Sequence, residues 1–157
     1  MRPARIVSGG QTGVDRGALD AALAAGWPCG GWCPADRAAE DGAIPARYPV
    51  VAIDAADPSA RTRRNVEDSD ATLILCHGGL SGGTLLTARL CETLARPCLI
   101  VDAEASGIPE AVRRARDFTG RHQIEVLNVA GPRQSGWPGG VDYARSVIRG
   151  LLTDHSE

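Results

Sequence analysis

Aromatic side chains are scarce in this chain, with Phe, Trp and Tyr together making up 4% of 157 residues. Binding of nucleic acid by stacking bases on exposed rings is therefore not expected, because such a platform needs several rings in series. Excess charge of either sign is lacking too. The formal net charge is −2, so no general field draws in nucleic acid or an anionic membrane, and neither is expected as a partner. Any anion must be held by local geometry. No apolar run reaches the roughly 18 residues that a membrane helix requires. The N-terminus enters a strand almost at once without a secretory leader, and a cytoplasmic location is expected. Cysteine occurs five times, an odd number, and outside an oxidising compartment these residues read as reduced and mostly packing. Cys29-Gly30-Gly31-Trp32-Cys33 lacks the spacing of a zinc-ribbon pair, and Cys76, Cys91 and Cys98 fall inside apolar segments. His77, His122 and His155 are too dispersed for a cluster, so no metal site is expected.

What the chain does have is glycine, 19 residues gathered into a few clusters. Its length suits one domain over 1–157 and allows a sizeable core. Arg5-Ile6-Val7-Ser8 reads as a first strand running into Gly9-Gly10. An Ala- and Leu-rich helix follows from Asp15 to Ala25, stopped by Gly26. Gly30–Cys33 reads as a short second strand. Pro34–Pro49 has no clean period and carries Asp36, Arg37, Glu40, Asp41 and Gly42, a long polar loop of the kind that is often functional. A basic helix spans Ser59–Glu67. The continuous apolar run Ala71–Cys76 fits a strand buried on both faces, and a helix to about Ala95 follows it. Pro97–Val101 is another strand, and Pro109 fits the first turn of a helix ending near Phe118. Glu125–Ala130 is a last strand, followed by a closing helix from about Gly140 to Leu152. Strands separated by helices imply right-handed crossovers. The fold expected is a doubly wound α/β domain with a parallel sheet of about five strands and helices on both faces.

In such sheets ligands bind outside the carboxyl ends of the strands, where strand order reverses. Three loops leave such ends with unusual composition. In Ser8–Arg16 the glycines Gly9 and Gly10 bring backbone N–H groups close to a ligand, with Gln11 and Thr12 beside them. The helix that follows adds the positive end of its dipole. Thr12 either caps that helix or gives its hydroxyl to the ligand. In Gly78–Thr84 four glycines, with Ser81 and Thr84, sit directly between a buried strand and a helix. A packing turn needs one or two glycines. A nest of N–H groups around an oxyanion needs more, since any Cβ would hold the ligand away. Gly79, Ser81, Gly82, Gly83 and Thr84 are the candidates here. No lysine follows the last glycine, so this is not a Walker loop. Neither loop matches the spaced dinucleotide fingerprint. In Gly131–Gly136, Arg133 either forks onto an oxyanion or is a solvated surface charge. Asn65, Asp68 and Asp70 read as caps and terminators of the preceding helix. No catalytic set is recognisable from spacing. The ligand expected from these loops is small and anionic.

Four blocks carry a resemblance: Ser8–Gly17, Asn65–Thr72, Ser81–Thr84 and Asn128–Arg133, supported by Gly31–Pro34 and Ala39–Gly42. Together they resemble the molybdenum carrier family over nearly the whole chain. That family looks like a branch of the Rossmann-like, lysine-decarboxylase-like group that includes the cytokinin-activating phosphoribohydrolases. The resemblance implies a Rossmann-like parallel sheet, a ligand site at Gly9, Gly10, Thr12, Gly82, Gly83 and Thr84, and a homo-oligomer, commonly a dimer or tetramer. It also implies molybdenum cofactor as the ligand and molybdoenzymes as recipients. The alternative it leaves is a nucleoside monophosphate, bound by a nucleotide-processing enzyme or a sensor. The phosphoribohydrolases place a glutamate three residues after the glycine-threonine pair, where this chain has Thr87, with Asp15 or Glu92 as other sources of a carboxylate. The reading favoured is a non-catalytic binding protein.

Overall fold

The computed structural model describes residues 1–153, and His155 lies outside the described residues. In chain order the elements are β1 (Arg5–Val7), α1 (Val14–Ala24), β2 (Cys29–Gly30), β3 (Trp32–Cys33), β4 (Ala38–Ala39), β5 (Gly42–Ala43), β6 (Val51–Ala52), α2 (Ala60–Glu67), β7 (Ala71–Cys76), α3 (Gly82–Thr93), β8 (Cys98–Asp102), α4 (Ile108–Arg121), β9 (Val126–Ala130) and α5 (Gly140–Leu152). The central sheet has five strands in the order β2-β1-β9-β7-β8, and every pair in it is parallel. This is the parallel α/β architecture that the alternation of segments implies.

Side chains leave a strand on alternate faces, and the central strands show it. Leu73 and Leu75 of β7, with Leu127 and Val129 of β9, join Val14, Ala18, Ala111, Ala115, Val147 and Ile148 in the main core. That face is covered by α1, α5 and α4, packed side by side. On the opposite face Thr72 takes a hydrogen bond from Asn128 at 3.2 Å and meets Cys91 of α3, and α3 packs with α2. Stepping from β1 to β2 and from β8 to β9 uses helices of the first face. Stepping the other way, from β7 to β8, uses the second. One crossover hand requires this coupling of direction to face. The reversal brings the carboxyl ends of β1, β9 and β7 side by side.

Two expectations change. The second strand breaks at Gly31, whose φ is 137° and where a Cβ would lie 2.0 Å from the Ser8 carbonyl oxygen, so only glycine fits. Its first half pairs with β1 and its second half with β6, a partner too short to leave a period in the sequence. The long polar loop contains a small antiparallel hairpin, β4 with β5. It also has an apolar footing, where Ile44, Tyr48 and Val50 pack with Leu19 and Cys33. All five cysteines are free.

Helices α1 and α5 approach through Gly17, where a Cβ would meet the Val141 carbonyl oxygen at 2.3 Å and the Ala144 Cβ at 3.0 Å. Alanine in a helix interior ordinarily gains about 1 kcal/mol over glycine. Overpacking costs about 1–3 kcal/mol, and here the obstructing atom is backbone, which cannot rotate aside. Gly17→Ala is therefore expected to lower the urea midpoint, with a net loss of up to about 2 kcal/mol. A variant as stable as the parent would mean that the two helices do not meet at this glycine.

Candidate functional site

Between the ends of β1, β9 and β7 lies a cleft of about 620 Å³. Its first wall is the start of α3. Ser81 is extended (φ −151°, ψ 167°) and makes no side-chain cap bond. The first N–H bonded back into this turn is that of Leu85, to the Ser81 carbonyl. The N–H groups of Gly82, Gly83 and Thr84 therefore have no intrahelical acceptor. A Cβ built on Gly79, Gly82 or Gly83 meets no atom within 4 Å, and all three residues line the cleft. Gly82 has a left-handed φ of 53°, a region that favours glycine, whereas Gly83 has an ordinary backbone. Thr87, also lining the cleft, donates its hydroxyl to the Gly83 carbonyl at 2.9 Å.

The floor is charged. Asp15 at the start of α1 is only 6% exposed, and its Oδ2 accepts the Gln11 N–H at 3.2 Å. Arg61 of α2 places Nη1 3.8 Å from that oxygen. Burial pushes the Asp15 carboxyl above its ordinary range, and the Arg61 charge and loop hydrogen bonds offset this only in part. The Arg61 guanidinium rests on Gly9, where a Cβ would lie 1.9 Å from Nη1. Its Nε is buried without a partner. Asn65, one helical turn further along the same face of α2, fixes this helix. It accepts the Trp32 N–H at 2.8 Å and donates to the Trp32 carbonyl at 2.9 Å.

The third wall is the segment after β9. Arg133 is 62% exposed there, with Nε 4.0 Å from the Glu40 carboxylate. A strap from the β4–β5 hairpin joins this segment to the first loop. Glu40 accepts the Thr12 hydroxyl at 2.7 Å and the Ser135 N–H at 3.0 Å, as well as the Ser135 hydroxyl. Thr12 in turn accepts the Gln134 N–H at 3.0 Å. Asp41 takes both terminal nitrogens of Arg16, whose Nε donates to the Gly10 carbonyl at 3.1 Å.

Of the residues singled out from sequence, the cleft brings together Gly9, Gln11, Gly79, Ser81, Gly82, Gly83, Thr84 and Arg133. Gly10 and Thr12 are not among its lining residues. Gly10 faces Ile44 and Val50, and the Thr12 hydroxyl is spent on the strap. Thr12 is not the cap of α1 either, since Gly13 holds that position without a side-chain bond. Asp70 accepts the Glu125 and Val126 N–H groups, so it starts β9 rather than ending α2. Asp68 accepts the Trp32 ring N–H at 2.8 Å. Glu92 is exposed and does not line the cleft, whereas Asp15 does. Arg61, Asn65 and Asn128 line it as well, although the sequence reads them as basic surface, helix cap and strand. The Arg61/Asn65 spacing of four, which puts both on one face, is the signal that would have found the first two. Among the described residues no group of three or more His, Cys, Asp or Glu is placed to hold a metal ion, and no helix is long and apolar enough to cross a membrane.

A parallel α/β sheet with a glycine-lined cleft at the reversal of strand order defines a Rossmann-like class. Residues 6–152 match the circularly permutated YpsA SLOG family, and the chain belongs to it. It is also similar to a crystal structure at 1.45 Å resolution named "putative molybdenum carrier protein", from Syntrophus aciditrophicus SB. The two share 41% identity over 98% of each chain, with a TM-score of 0.93. No curated protein matches the chain.

The strap rests on an ionised carboxylate. Hydrogen bonds from Ser135 and then Thr12 hold the Glu40 carboxyl below its ordinary value of 4.5. A carboxyl lowered on folding stabilises above its unfolded pKa, and that contribution is lost as pH falls through the folded value. Amide protection at Gln134 and Ser135 should therefore drop in Glu40→Ala at neutral pH. It should drop in the parent only below the ordinary glutamate range, with the β7 amides unaffected. Unchanged protection in the variant would show that Glu40 does not hold the third loop.

Proposed function

We propose that this protein is a non-catalytic carrier that grips the phosphate of a molybdenum-bearing pterin cofactor at the start of α3. The observation that carries this reading is the open first turn of that helix. Three N–H groups without intrahelical acceptors face a cleft, beside glycines whose missing Cβ atoms let an anion reach the backbone. Arg61 and Arg133 add the positive charge that the chain as a whole does not have. The volume, about 620 Å³, lies within the roughly 300–1,000 Å³ usual for small-molecule sites. Molybdenum enters from the name of the similar structure. The phosphate gives such a ligand a handle that needs no metal-ligating side chain. In this reading the protein works as a homo-oligomer in the cytoplasm and passes the cofactor to molybdoenzymes.

A second reading rests on Asp15. A buried carboxyl with a raised pKa inside a cleft is a candidate acid or base, and a nucleoside monophosphate would offer the same phosphate to α3. Slow release of base from such a nucleotide, lost in Asp15→Asn, would favour an enzyme. Tight binding of the intact nucleotide would favour a sensor.

Gly83→Val tests the site common to these readings. Its backbone is open to any residue and its Cβ meets nothing, so the thermal midpoint should stay close to the parent's. The added side chain would stand where the anion lies, and native mass spectrometry should show at least about tenfold weaker retention of AMP or the pterin, the effect of losing one or two hydrogen bonds to a charged group. Equal retention by variant and parent would remove α3 from the site. Anaerobic purification from a host that makes molybdenum cofactor separates the readings. A co-purified molybdenum pterin supports the carrier, and a nucleotide supports the alternative.

A further inference from the structure

An anion site with a buried carboxylate on its floor contains a conflict, and the binding reading above makes no use of Asp15. Three observations bear on it. Arg61 stands 3.8 Å from Asp15, beyond hydrogen-bond distance, so the pair attracts without being locked together. The Arg61 Nε has no partner although it is buried, so this guanidinium retains unspent donor capacity at the edge of the cleft. Gly9 leaves it a berth that any Cβ would close.

We propose, on the basis of the anion-binding reading, that a bound oxyanion draws the Arg61 guanidinium away from Asp15, which then takes a proton from solvent. Anion capture is then coupled to proton uptake. The guanidinium gains a partner for its idle donors, and Asp15 stops opposing the ligand once it is neutral.

Among the described residues, no other cation near the cleft is placed to keep Asp15 ionised. On its own helix, Arg16 is held by Asp41 and the Gly10 carbonyl. On α2, Arg63 faces Glu67 and Arg64 faces Asp68. From the segment after β9, Arg133 points to Glu40, and Glu40 itself is held by Thr12 and Ser135. His77, after β7, lies 3.6 Å from Glu104. The Ser8 hydroxyl donates to the Val129 carbonyl at 2.8 Å, and the Gln11 and Gly9 backbone N–H groups remain as the loop's own donors to Asp15.

Calorimetry with sulfate tests this, because sulfate neither gains nor loses a proton near neutrality. Titrations at pH 6 to 8 in two buffers of different ionisation heat report the protons taken up per anion. The parent should take up a fraction of a proton approaching one, and its affinity should fall by up to about tenfold for each unit of rising pH. Asp15→Asn should bind with no uptake and a flat pH profile, while uptake persists in His77→Gln. Binding without uptake by the parent, or uptake that survives in Asp15→Asn, overturns the coupling and leaves the anion site standing. Failure of the parent to bind sulfate or AMP at all overturns both.

Discussion

Everything in the site depends on how closely the backbone crowds together where strand order reverses. A Cβ at Gly131 would lie 2.3 Å from the Leu75 carbonyl oxygen, one at Gly13 2.5 Å from the Pro132 carbonyl, and one at Gly31 2.0 Å from the Ser8 carbonyl. These are contacts to main chain, which cannot swing aside. Without side chains at these points, the segments after β1, β9 and β7 come near enough to enclose one cleft. The glycines of this chain therefore do two different jobs. Those just named let protein approach protein, and Gly79, Gly82 and Gly83, with open space beyond them, leave room for something that is not protein.

That division explains what the sequence discloses and what it hides. The long apolar run Ala71–Cys76 and the Ala- and Leu-rich first helix are visible because burial imposes a pattern on many residues at once. The glycine cluster before α3 is visible because so many Cβ atoms are missing in one place. Thr12 is ambiguous in sequence because one hydroxyl beside a glycine turn suits a cap, a ligand or another loop equally well. The choice is made by Glu40, 28 residues away, through a hydrogen bond of 2.7 Å. The long polar loop has the same character. Its charges look like a solvated stretch, yet Glu40 and Asp41 act together as a clasp over the first loop.

Arg61 shows the limit most clearly. Among Arg61, Arg63 and Arg64, residue type alone does not separate the arginine that enters the cleft from the two on the surface, and the spacing to Asn65 does so only once the side of α2 that Asn65 faces is known. Asn65 makes the distinction by bonding to both polar groups of the Trp32 backbone. An asparagine side chain here takes the place of a neighbouring strand, and that fixes the rotation of α2 about its axis. Helical spacing then carries Arg61 inward.

Asp15 is the residue least explained by packing. Its carboxyl is raised from 3.8, chiefly by burial, so between the unfolded and folded pKa values the native state holds more protons than the unfolded chain. The contribution of this group to stability therefore falls as pH rises through that window, and at neutrality its ionisation opposes folding. An asparagine at position 15 would keep an acceptor for the Gln11 N–H without that cost. A charged group kept where a neutral one would pack as well points to use rather than architecture. A purely structural ion pair would hold its arginine at hydrogen-bonding distance and leave no donor idle. The separation of 3.8 Å and the unpartnered Nε instead describe a pair with capacity left for a third member, and a negatively charged oxygen in the cleft is the group that would complete it.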